Sequence, residues 1–248
     1  MKKMRILRTN EKLDYNETKR FFENRAKKYM EDNPYSVTMY QDKNRLLVKK
    51  RNKYELNKLM PLLKLNSKSK VLDVACGIGR WADAITMDID VYYGLDFSKD
   101  LIQIAQKRNY KSNFYFYEVS ANCIQKFVQK ENIDKFNVIL VIGLLMYLND
   151  TEVNSILKQI TQICEEHARI CIREPIGMEE RLTLKDYFSE ELEDNYNAIY
   201  RTQREMLKFI DDNLIKEGFK IVQKDFLFKE DDLNNRKETR QFYCILER

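Results

Sequence analysis

Between residues 71 and 173, short apolar stretches alternate with amphipathic ones, and this alternation restricts the chain to few folds. The predicted strands are Val71–Ala75, Val91–Leu95, Phe114–Val119, Val138–Ile142 and Ala168–Arg173. The segments between them have helical spacing, and the predicted helices are Trp81–Met87, Ser98–Arg108, Ile124–Lys130 and Thr151–Cys164. Because strands that alternate with helices and are apolar nearly throughout are buried on both faces, we expect a parallel sheet covered by helices on both sides.

The segment before this region predicts helices. Glu17–Lys28 and Val37–Leu63 are rich in charge, with leucine and tyrosine at helical spacing. We interpret residues 1–66 as an N-terminal helical cap and residues 67–248 as the main domain.

The alternation ends after the fifth strand. Residues from about 174 to 202 form a long polar segment rich in acids and tyrosines, which we interpret as a lid insertion. A helix is predicted at Gln203–Lys216, followed by strands at Phe219–Phe228 and Glu238–Glu247. These last two strands have no helix between them and must pair antiparallel, because a parallel return needs a crossover.

Composition excludes several classes of protein. The net charge of +5 is the small difference between 44 basic and 39 acidic residues, too weak a bias to indicate a polyanionic partner. The five cysteines lack paired spacing and predict reduced thiols in a cytoplasmic protein. Cys164, His167 and Cys171 straddle a helix end and a strand, so no metal site is predicted. No signal peptide or membrane span is recognised.

The stretch KVLDVACGIGR, residues 70–80, carries the first functional signal. Gly77 and Gly79 lie between a strand and a helix, where the chain can pass close to a ligand that a Cβ atom would push away. Asp96 ends the next strand, at the edge where open parallel sheets bind ligands. An acid at this position typically binds both hydroxyls of a ribose.

Two cofactors are compatible with this loop. Residues 77–82 match the dinucleotide fingerprint G-x-G-x-x-[GA], with Asp96 at roughly the expected distance. That fingerprint does not require an acid inside the first strand, yet Asp73 lies there and costs burial energy unless it binds something. A carboxylate at this position is suited to orient the glycine loop or to face a cation such as the aminopropyl group of S-adenosylmethionine.

Three stretches resemble class I S-adenosylmethionine-dependent methyltransferases: VLDVACGIGR, YYGLDFSKDLIQIAQ and FNVILVIGLLMYLND, as motif I, acidic loop and motif IV. The resemblance covers about residues 70–248. It implies a Rossmann-like three-layer α/β/α sandwich, in which a seven-stranded, mostly parallel sheet has an antiparallel last strand. The implied cofactor is S-adenosyl-L-methionine, with S-adenosyl-L-homocysteine as product.

The resemblance also implies which residues bind the cofactor. Asp73 and the glycine loop would line its methionine half, Asp96 its ribose and Phe97 its adenine. The full implied set is Asp73, Ala75, Gly77, Gly79, Arg80, Asp96, Phe97, Ser120, Ala121, Ile142 and Gly143. Two residues depart from the pattern: Ala75 replaces the first glycine of motif I, and Ser120 replaces an aspartate that meets the adenine amino group in many relatives.

The methyl acceptor is expected to bind near the end of the fifth strand. The predicted catalytic residues are Arg173, Glu174 and Tyr200. The predicted substrate-binding residues come from the helical cap, motif IV and the lid: Arg25, Tyr35, Tyr40, Tyr147, Arg181, Tyr196 and Arg201. Arginine forks bind carboxylates and phosphates at two points, which favours an anionic acceptor. The single histidine, His167, is not assigned as a base, because it precedes the fifth strand at the opposite edge of the sheet.

The helical cap resembles that of small-molecule methyltransferases, including ones of bacterial surface-polysaccharide pathways. We therefore expect O-methylation of a sugar, phosphate or phosphoramidate group on a nucleotide-linked capsule or surface-glycan precursor. The alternatives are N-methylation of an amino sugar or small amine, a nicotinamide-dependent oxidoreductase, and a non-catalytic methyltransferase-like binding module. The expected state is a cytoplasmic monomer or homodimer that binds neither nucleic acid nor membrane.

Overall fold

The structure is a computed structural model that describes residues 4–40, 44–229, 233–234 and 236–248. Over these residues the strands are β1 (Met4–Leu7), β2 (Lys70–Val74), β3 (Val91–Asp96), β4 (Phe114–Glu118), β5 (Phe136–Ile142), β6 (Cys164–Gly177), β7 (Leu182–Ser189), β8 (Asp194–Tyr200), β9 (Lys220–Phe226) and β10 (Thr239–Glu247). The helices are α1 (Tyr15–Lys27), α2 (Ser36–Met39), α3 (Arg45–Leu59), α4 (Arg80–Ala84), α5 (Lys99–Arg108), α6 (Ile124–Lys130), α7 (Asp150–Ile163) and α8 (Gln203–Asn213).

Seven strands form one sheet in the order β4-β3-β2-β5-β6-β10-β9. The neighbours β4-β3-β2-β5-β6 pair in parallel, whereas β10 is antiparallel to both β6 and β9. The predicted fold class is therefore confirmed, including its antiparallel last strand. The strand order reverses between β2 and β5, and ligands bind at such a switch point in open α/β sheets.

Strand β2 shows how the sheet is buried. Leu72 and Val74 pack into the core on one face of the sheet, and Val71 packs into the core on the other. This alternation follows from the two-residue period of a strand. Asp73 points to the same face as Val71 and is 1% exposed. A carboxylate is thus placed inside an apolar layer.

The region between residues 174 and 202, predicted only as a polar lid, contains a hairpin. Strands β7 and β8 pair antiparallel, and β1 from the N-terminus adds to the edge of β7. Helix α1 packs against β8 through Phe21, Tyr196 and neighbouring apolar side chains. The hairpin and the N-terminal segment therefore form one layer above the main sheet.

The single helix predicted at residues 37–63 is wrong. Helix α2 ends at Met39, because Tyr40 adopts the left-handed conformation with φ 56° and ψ 46°. Helix α3 then starts afresh, capped by the Asn44 side chain, which accepts a hydrogen bond from the backbone N–H of Leu47 at 3.0 Å. A 3₁₀ turn at Met60–Leu63 ends the segment.

Within the part of the chain that the structure describes, no helix combines the length and apolar character needed to cross a membrane. The same residues contain no group of three or more His, Cys, Asp or Glu side chains placed to hold a metal ion. All five cysteines are free thiols.

Candidate active site

A cavity of about 620 Å³ lies at the carboxyl ends of the parallel strands. Its size is in the range of small-molecule and cofactor sites. Residues that follow β2, β3, β4 and β5 and residues within β6 contribute to its walls, and the N-terminal segment and the β7–β8 hairpin close it from above. The cavity therefore occupies the edge of the sheet that the strand order favours.

Asp73 faces this cavity from β2. One carboxylate oxygen accepts a hydrogen bond from the Tyr92 hydroxyl at 2.7 Å, and among the described residues the other oxygen has no hydrogen-bond partner. Burial raises the pKa of Asp73 to about 7, against the opposing effect of the Tyr92 hydrogen bond. A buried carboxylate with one unused oxygen is suited to a cationic or hydrogen-donating ligand.

Asp96 is the second carboxylate of the cavity. Its oxygens accept hydrogen bonds from the backbone N–H groups of Gly77 at 3.0 Å and Ser98 at 2.9 Å. Burial raises the pKa of Asp96 to about 6, although both hydrogen bonds favour the charged form. Because each carboxylate oxygen can accept a second hydrogen bond, Asp96 fixes the glycine loop and keeps capacity for a ligand.

The loop after β2 is bent by left-handed residues. Gly77 has φ +57°, and a Cβ atom there would lie 2.8 Å from the Thr38 side chain. Gly79 has φ +77° but does not line the cavity, because it packs against Asn109, whose side-chain nitrogen would be 2.6 Å from a Cβ atom. Ala75 also has a positive φ of 66°. The first glycine of motif I is therefore missing at a position that still needs the glycine conformation.

The structure brings most of the predicted cofactor residues together. Those that line the cavity are Asp73, Ala75, Gly77, Arg80, Asp96, Phe97, Ser120, Ala121, Ile142 and Gly143. Gly79 is the exception, and its role is to shape the turn into α4.

A buried ionic cluster connects the glycine loop to β6. One oxygen of Glu55, on α3, accepts hydrogen bonds from Arg80 at 2.9 Å and from two nitrogens of Arg173 at 3.0 and 3.1 Å. Burial opposes the charge of Glu55, but the two guanidinium groups outweigh it and lower its pKa. Two cations share one carboxylate here, so the cluster presents excess positive charge to the cavity.

Arg173 is held against the end of β5. Its guanidinium also donates to the Gln241 side chain at 3.2 Å, and its Nη1 atom lies 3.2 Å from where a Cβ atom on Gly143 would be. The backbone N–H of Gly143 donates to the carbonyl oxygen of Arg173 at 2.7 Å. The absence of a side chain at Gly143 lets the arginine approach the floor of the cavity.

Glu174 was predicted as a catalytic residue, but it does not line the cavity. Its carboxylate accepts hydrogen bonds from the backbone N–H groups of Leu144, Leu145 and Met146 at 2.8, 2.9 and 3.2 Å. Burial raises its pKa to about 7. The geometry therefore gives Glu174 a positioning role, in which it fixes the turn after β5.

Arg181 and Arg201, predicted to bind substrate, also lie outside the cavity lining. Both donate to the carboxylate of Asp150, at 3.0 and 2.7 Å respectively. Arg201 also donates to the backbone carbonyls of Leu145 and Leu148, both at 2.7 Å. Both arginines therefore connect the ends of the β7–β8 hairpin to the start of α7 through ion pairs with Asp150.

Arg25 and Tyr35, from the predicted cap, are engaged away from the cavity as well. The Arg25 side chain donates to the backbone carbonyls of Ser36 at 2.5 Å and Val37 at 3.2 Å, and the Tyr35 hydroxyl donates to Asp83 at 2.9 Å. Gln41, a further residue of the predicted cap that we expect to close over the cofactor and acceptor, lies outside the described residues. Arg25 therefore stabilises the backbone of α2 and does not line the cavity.

Four tyrosines that were predicted as substrate-binding or catalytic do line the cavity: Tyr40, Tyr147, Tyr196 and Tyr200. Their hydroxyls form a hydrogen-bonded chain, with oxygen distances of 2.7 Å between Tyr147 and Tyr40, 3.3 Å between Tyr147 and Tyr196, and 3.2 Å between Tyr200 and Tyr196. Burial raises the pKa of every one of these phenols. They are therefore neutral hydroxyls at physiological pH.

Sequence reasoning missed two buried charged residues of the site, Arg51 and Glu55. They lie on the face of α3 that also buries Val48 and Leu59, at spacings of three and four residues. The available signal was therefore a pair of charged residues on an otherwise apolar helical face. His167, which was not assigned as a base, lies exposed in β6 and away from the cavity.

The two carboxylates of the cavity fit S-adenosylmethionine. The unused oxygen of Asp73 suits the amino group of the methionine half, and the remaining acceptor capacity of Asp96 suits ribose hydroxyls. When bound, this cofactor supplies a methyl group on a positively charged sulfur.

The seven-stranded sheet and the acid-flanked loop define a class I S-adenosylmethionine-dependent methyltransferase fold. The sequence matches the family described as "Methyltransferase domain" over residues 65–236, so the chain belongs to that family. No curated protein matches the sequence.

Solved structures with the same fold have little sequence identity to this chain. Magnesium protoporphyrin IX methyltransferase from Synechocystis PCC 6803, with bound S-adenosylmethionine, is 14% identical with a TM-score of 0.62, covering 97% of this chain and 100% of that one. Phosphoethanolamine N-methyltransferase 1 from Haemonchus contortus is 16% identical with a TM-score of 0.68, covering 92% of this chain and 48% of that one. The [4+2]-cyclase SpnF is 11% identical with a TM-score of 0.59, covering 81% and 80%. The predicted cofactor, S-adenosyl-L-methionine, is confirmed at the level of family and fold.

Proposed function

We propose that this protein transfers a methyl group from S-adenosylmethionine to an oxygen atom of a small, anionic acceptor. One observation carries the proposal: charge is separated along the order of the strands. The carboxylates Asp96 and Asp73 lie on β3 and β2, Gly143 follows β5, and Arg173 lies on the next strand, β6. The two acids would thus face the cationic cofactor when it is bound, and the Arg173 guanidinium would face an acceptor beyond Gly143.

Methyl transfer from a sulfonium is an in-line displacement, so the protein mainly holds the acceptor in position. An anionic oxygen has no proton to lose, so its methylation needs no general base. This agrees with the positions of His167, which is exposed, and Glu174, because neither lines the cavity. Arg173, fixed by Glu55 and Gln241, supplies an anchor for a phosphate or carboxylate group. The assignment to a sugar or phosphoramidate of a surface-glycan precursor stays a prediction.

N-methylation of a small amine is the second candidate. The rings of Tyr40 and Tyr147 lie 6.0 and 6.2 Å from the Tyr196 ring along the cavity wall, and tyrosine rings attract ammonium groups. One similar structure, the nematode phosphoethanolamine N-methyltransferase, binds an acceptor that carries both an amine and a phosphate. An acceptor with both groups would use both walls of this cavity.

The test is a screen for S-adenosylhomocysteine release with sugar phosphates, nucleotide sugars, phosphoramidates, carboxylates and matched amines. We expect turnover with an acceptor that carries an anionic group. Arg173→Gln should raise KM for that acceptor about tenfold or more and change cofactor affinity much less. Arg204→Gln is the matched control, because Arg204 is exposed on α8 outside the cavity. Turnover of uncharged acceptors alone, or equal effects of the two substitutions, would contradict the proposal.

A further inference from the structure

The tyrosine chain along the cavity contains more hydroxyl hydrogens than hydrogen bonds. Tyr40, Tyr147, Tyr196 and Tyr200 bring four O–H groups, and three hydrogen bonds connect them. Each link uses one hydrogen, and among the described residues these hydroxyls make no other hydrogen bond. One hydrogen is therefore left without an acceptor in the part of the chain that the structure describes.

The direction of the links identifies the hydroxyl that keeps this hydrogen. Tyr147 donates to Tyr40, and Tyr200 donates to Tyr196. Because a phenol has a single hydrogen, Tyr147 cannot also donate to Tyr196, so the middle link runs from Tyr196 to Tyr147. The chain thus runs from Tyr200 to Tyr40, and the unused hydrogen is on the Tyr40 hydroxyl.

Tyr40 is held firmly in place by its surroundings. It has the left-handed backbone conformation, which is unfavourable for a residue with a side chain and persists only where neighbouring contacts maintain it. The Arg25 guanidinium lies 5.4 Å from the centre of its ring, and the rings of Phe21 and Tyr196 pack within 6.0 Å. The hydroxyl is therefore a preorganised donor at the wall of the cavity.

This inference rests on the proposed function and specifies its acceptor. We propose that the Tyr40 hydroxyl donates its unused hydrogen to an oxygen atom of the methyl acceptor, and that the cavity thereby selects oxygen over nitrogen. An oxygen nucleophile can accept this hydrogen bond through one lone pair and attack with another. A neutral amine nitrogen has one lone pair, and an ammonium has none, so neither can do both.

Two probes of similar size separate the two chemistries. Trimethylamine N-oxide presents an oxygen acceptor and no donor, whereas tetramethylammonium presents a cation without a lone pair. Each is titrated into the full chain saturated with S-adenosylhomocysteine and followed by calorimetry or ligand-observed NMR. We expect the N-oxide to bind at least fivefold more tightly than tetramethylammonium.

Two substitutions test the role of the unused hydrogen. Tyr40→Phe should weaken N-oxide binding about three- to tenfold, the usual effect of one hydrogen bond, and change tetramethylammonium binding less than twofold. In this variant the unused hydrogen passes to Tyr147, whose oxygen lies 2.7 Å from that of Tyr40. Tyr200→Phe removes an oxygen from the opposite end of the hydrogen-bonded tyrosine chain and leaves the Tyr40 hydrogen in place. The loss of N-oxide affinity in this variant should therefore be at least threefold smaller than the loss in Tyr40→Phe.

Affinity for S-adenosylhomocysteine is measured first for each protein and should agree within twofold, which also shows that the variants fold. Failure of the wild-type protein to bind S-adenosylhomocysteine would overturn the proposed function itself. If it binds, three results would overturn the inference alone: equal effects of the two substitutions, tighter binding of tetramethylammonium, or no N-oxide binding at tens of millimolar.

Discussion

Replacing Asp73 with asparagine should make the ligand-free protein more stable and the cofactor complex weaker. Burial raises the pKa of Asp73 to about 7, from 3.8 for an ordinary aspartate. Between those two values the folded protein holds a proton that the unfolded chain has lost, so stability falls as pH rises from about 4 to about 7. The full cost, on the order of 4 kcal/mol, is present above pH 7. Asparagine keeps an oxygen for the Tyr92 hydroxyl and removes the charge.

The cofactor should show the opposite pH dependence. If it binds the ionised carboxylate, a pKa of about 7 leaves roughly one molecule in ten competent at pH 6, and nearly all at pH 8. Affinity of the wild-type protein for S-adenosylmethionine should therefore rise roughly twentyfold between pH 6 and pH 8, about tenfold from Asp73 and about twofold from Asp96. In Asp73→Asn this rise should shrink to the roughly twofold contribution of Asp96, whose pKa is about 6.

Urea unfolding and calorimetric titration at pH 6 and pH 8 measure both quantities. Asp73→Asn should gain about 2–4 kcal/mol of unfolding free energy at pH 8, less at pH 6, and nothing near pH 4. Asp134→Asn is the control, because that side chain is 85% exposed and lies far from the cavity. An Asp73→Asn variant that is less stable than the wild type at pH 8, or that binds the cofactor equally well there, would contradict a buried, ionised Asp73 that binds the cofactor.

Three further substitutions test the surrounding geometry. Glu55→Gln leaves the buried guanidinium groups of Arg80 and Arg173 without their shared anion, so urea unfolding should show a loss of about 3–5 kcal/mol; a loss below about 1 kcal/mol would contradict the bridge. Gly143→Ala forces a Cβ atom to within 3.2 Å of Arg173 at φ +66°, so we expect a loss of about 1–2 kcal/mol and a larger fall in turnover than in cofactor affinity. Ala75→Gly relieves a left-handed alanine, so its melting temperature should equal or exceed that of the wild type, whereas an ordinary Ala→Gly change lowers it.

The cofactor half of the site was predictable because its signals are local in sequence. Asp73 and Gly77 lie within one strand and turn, and Asp96 ends the next strand, so the parallel sheet alone brings them together. The register confirms this, with Asp73 opposite Gly94 on β3. Gly79 was placed in the cavity by the same motif, but the tight packing against Asn109 turns it away.

The acceptor half was predicted less well, because its residues come from distant segments. Arg201 was predicted to bind substrate, but in the fold it pairs with Asp150. Glu174 was predicted to be catalytic, but its carboxylate accepts hydrogen bonds from three backbone N–H groups in the turn after β5. Glu55 was predicted only as part of a charge-rich helix, yet it is 2% exposed. Such partners are fixed by tertiary contacts, which residue type and spacing do not specify.

A crystal structure of the full chain with S-adenosylhomocysteine tests the cofactor site most directly. We predict that the ligand lies in the cavity with its amino group at Asp73, its ribose at Asp96 and its sulfur directed toward Gly143. A ligand bound outside this cavity, or one whose ribose and amino group touch neither carboxylate, would contradict the assignment of Asp73 and Asp96 to cofactor binding.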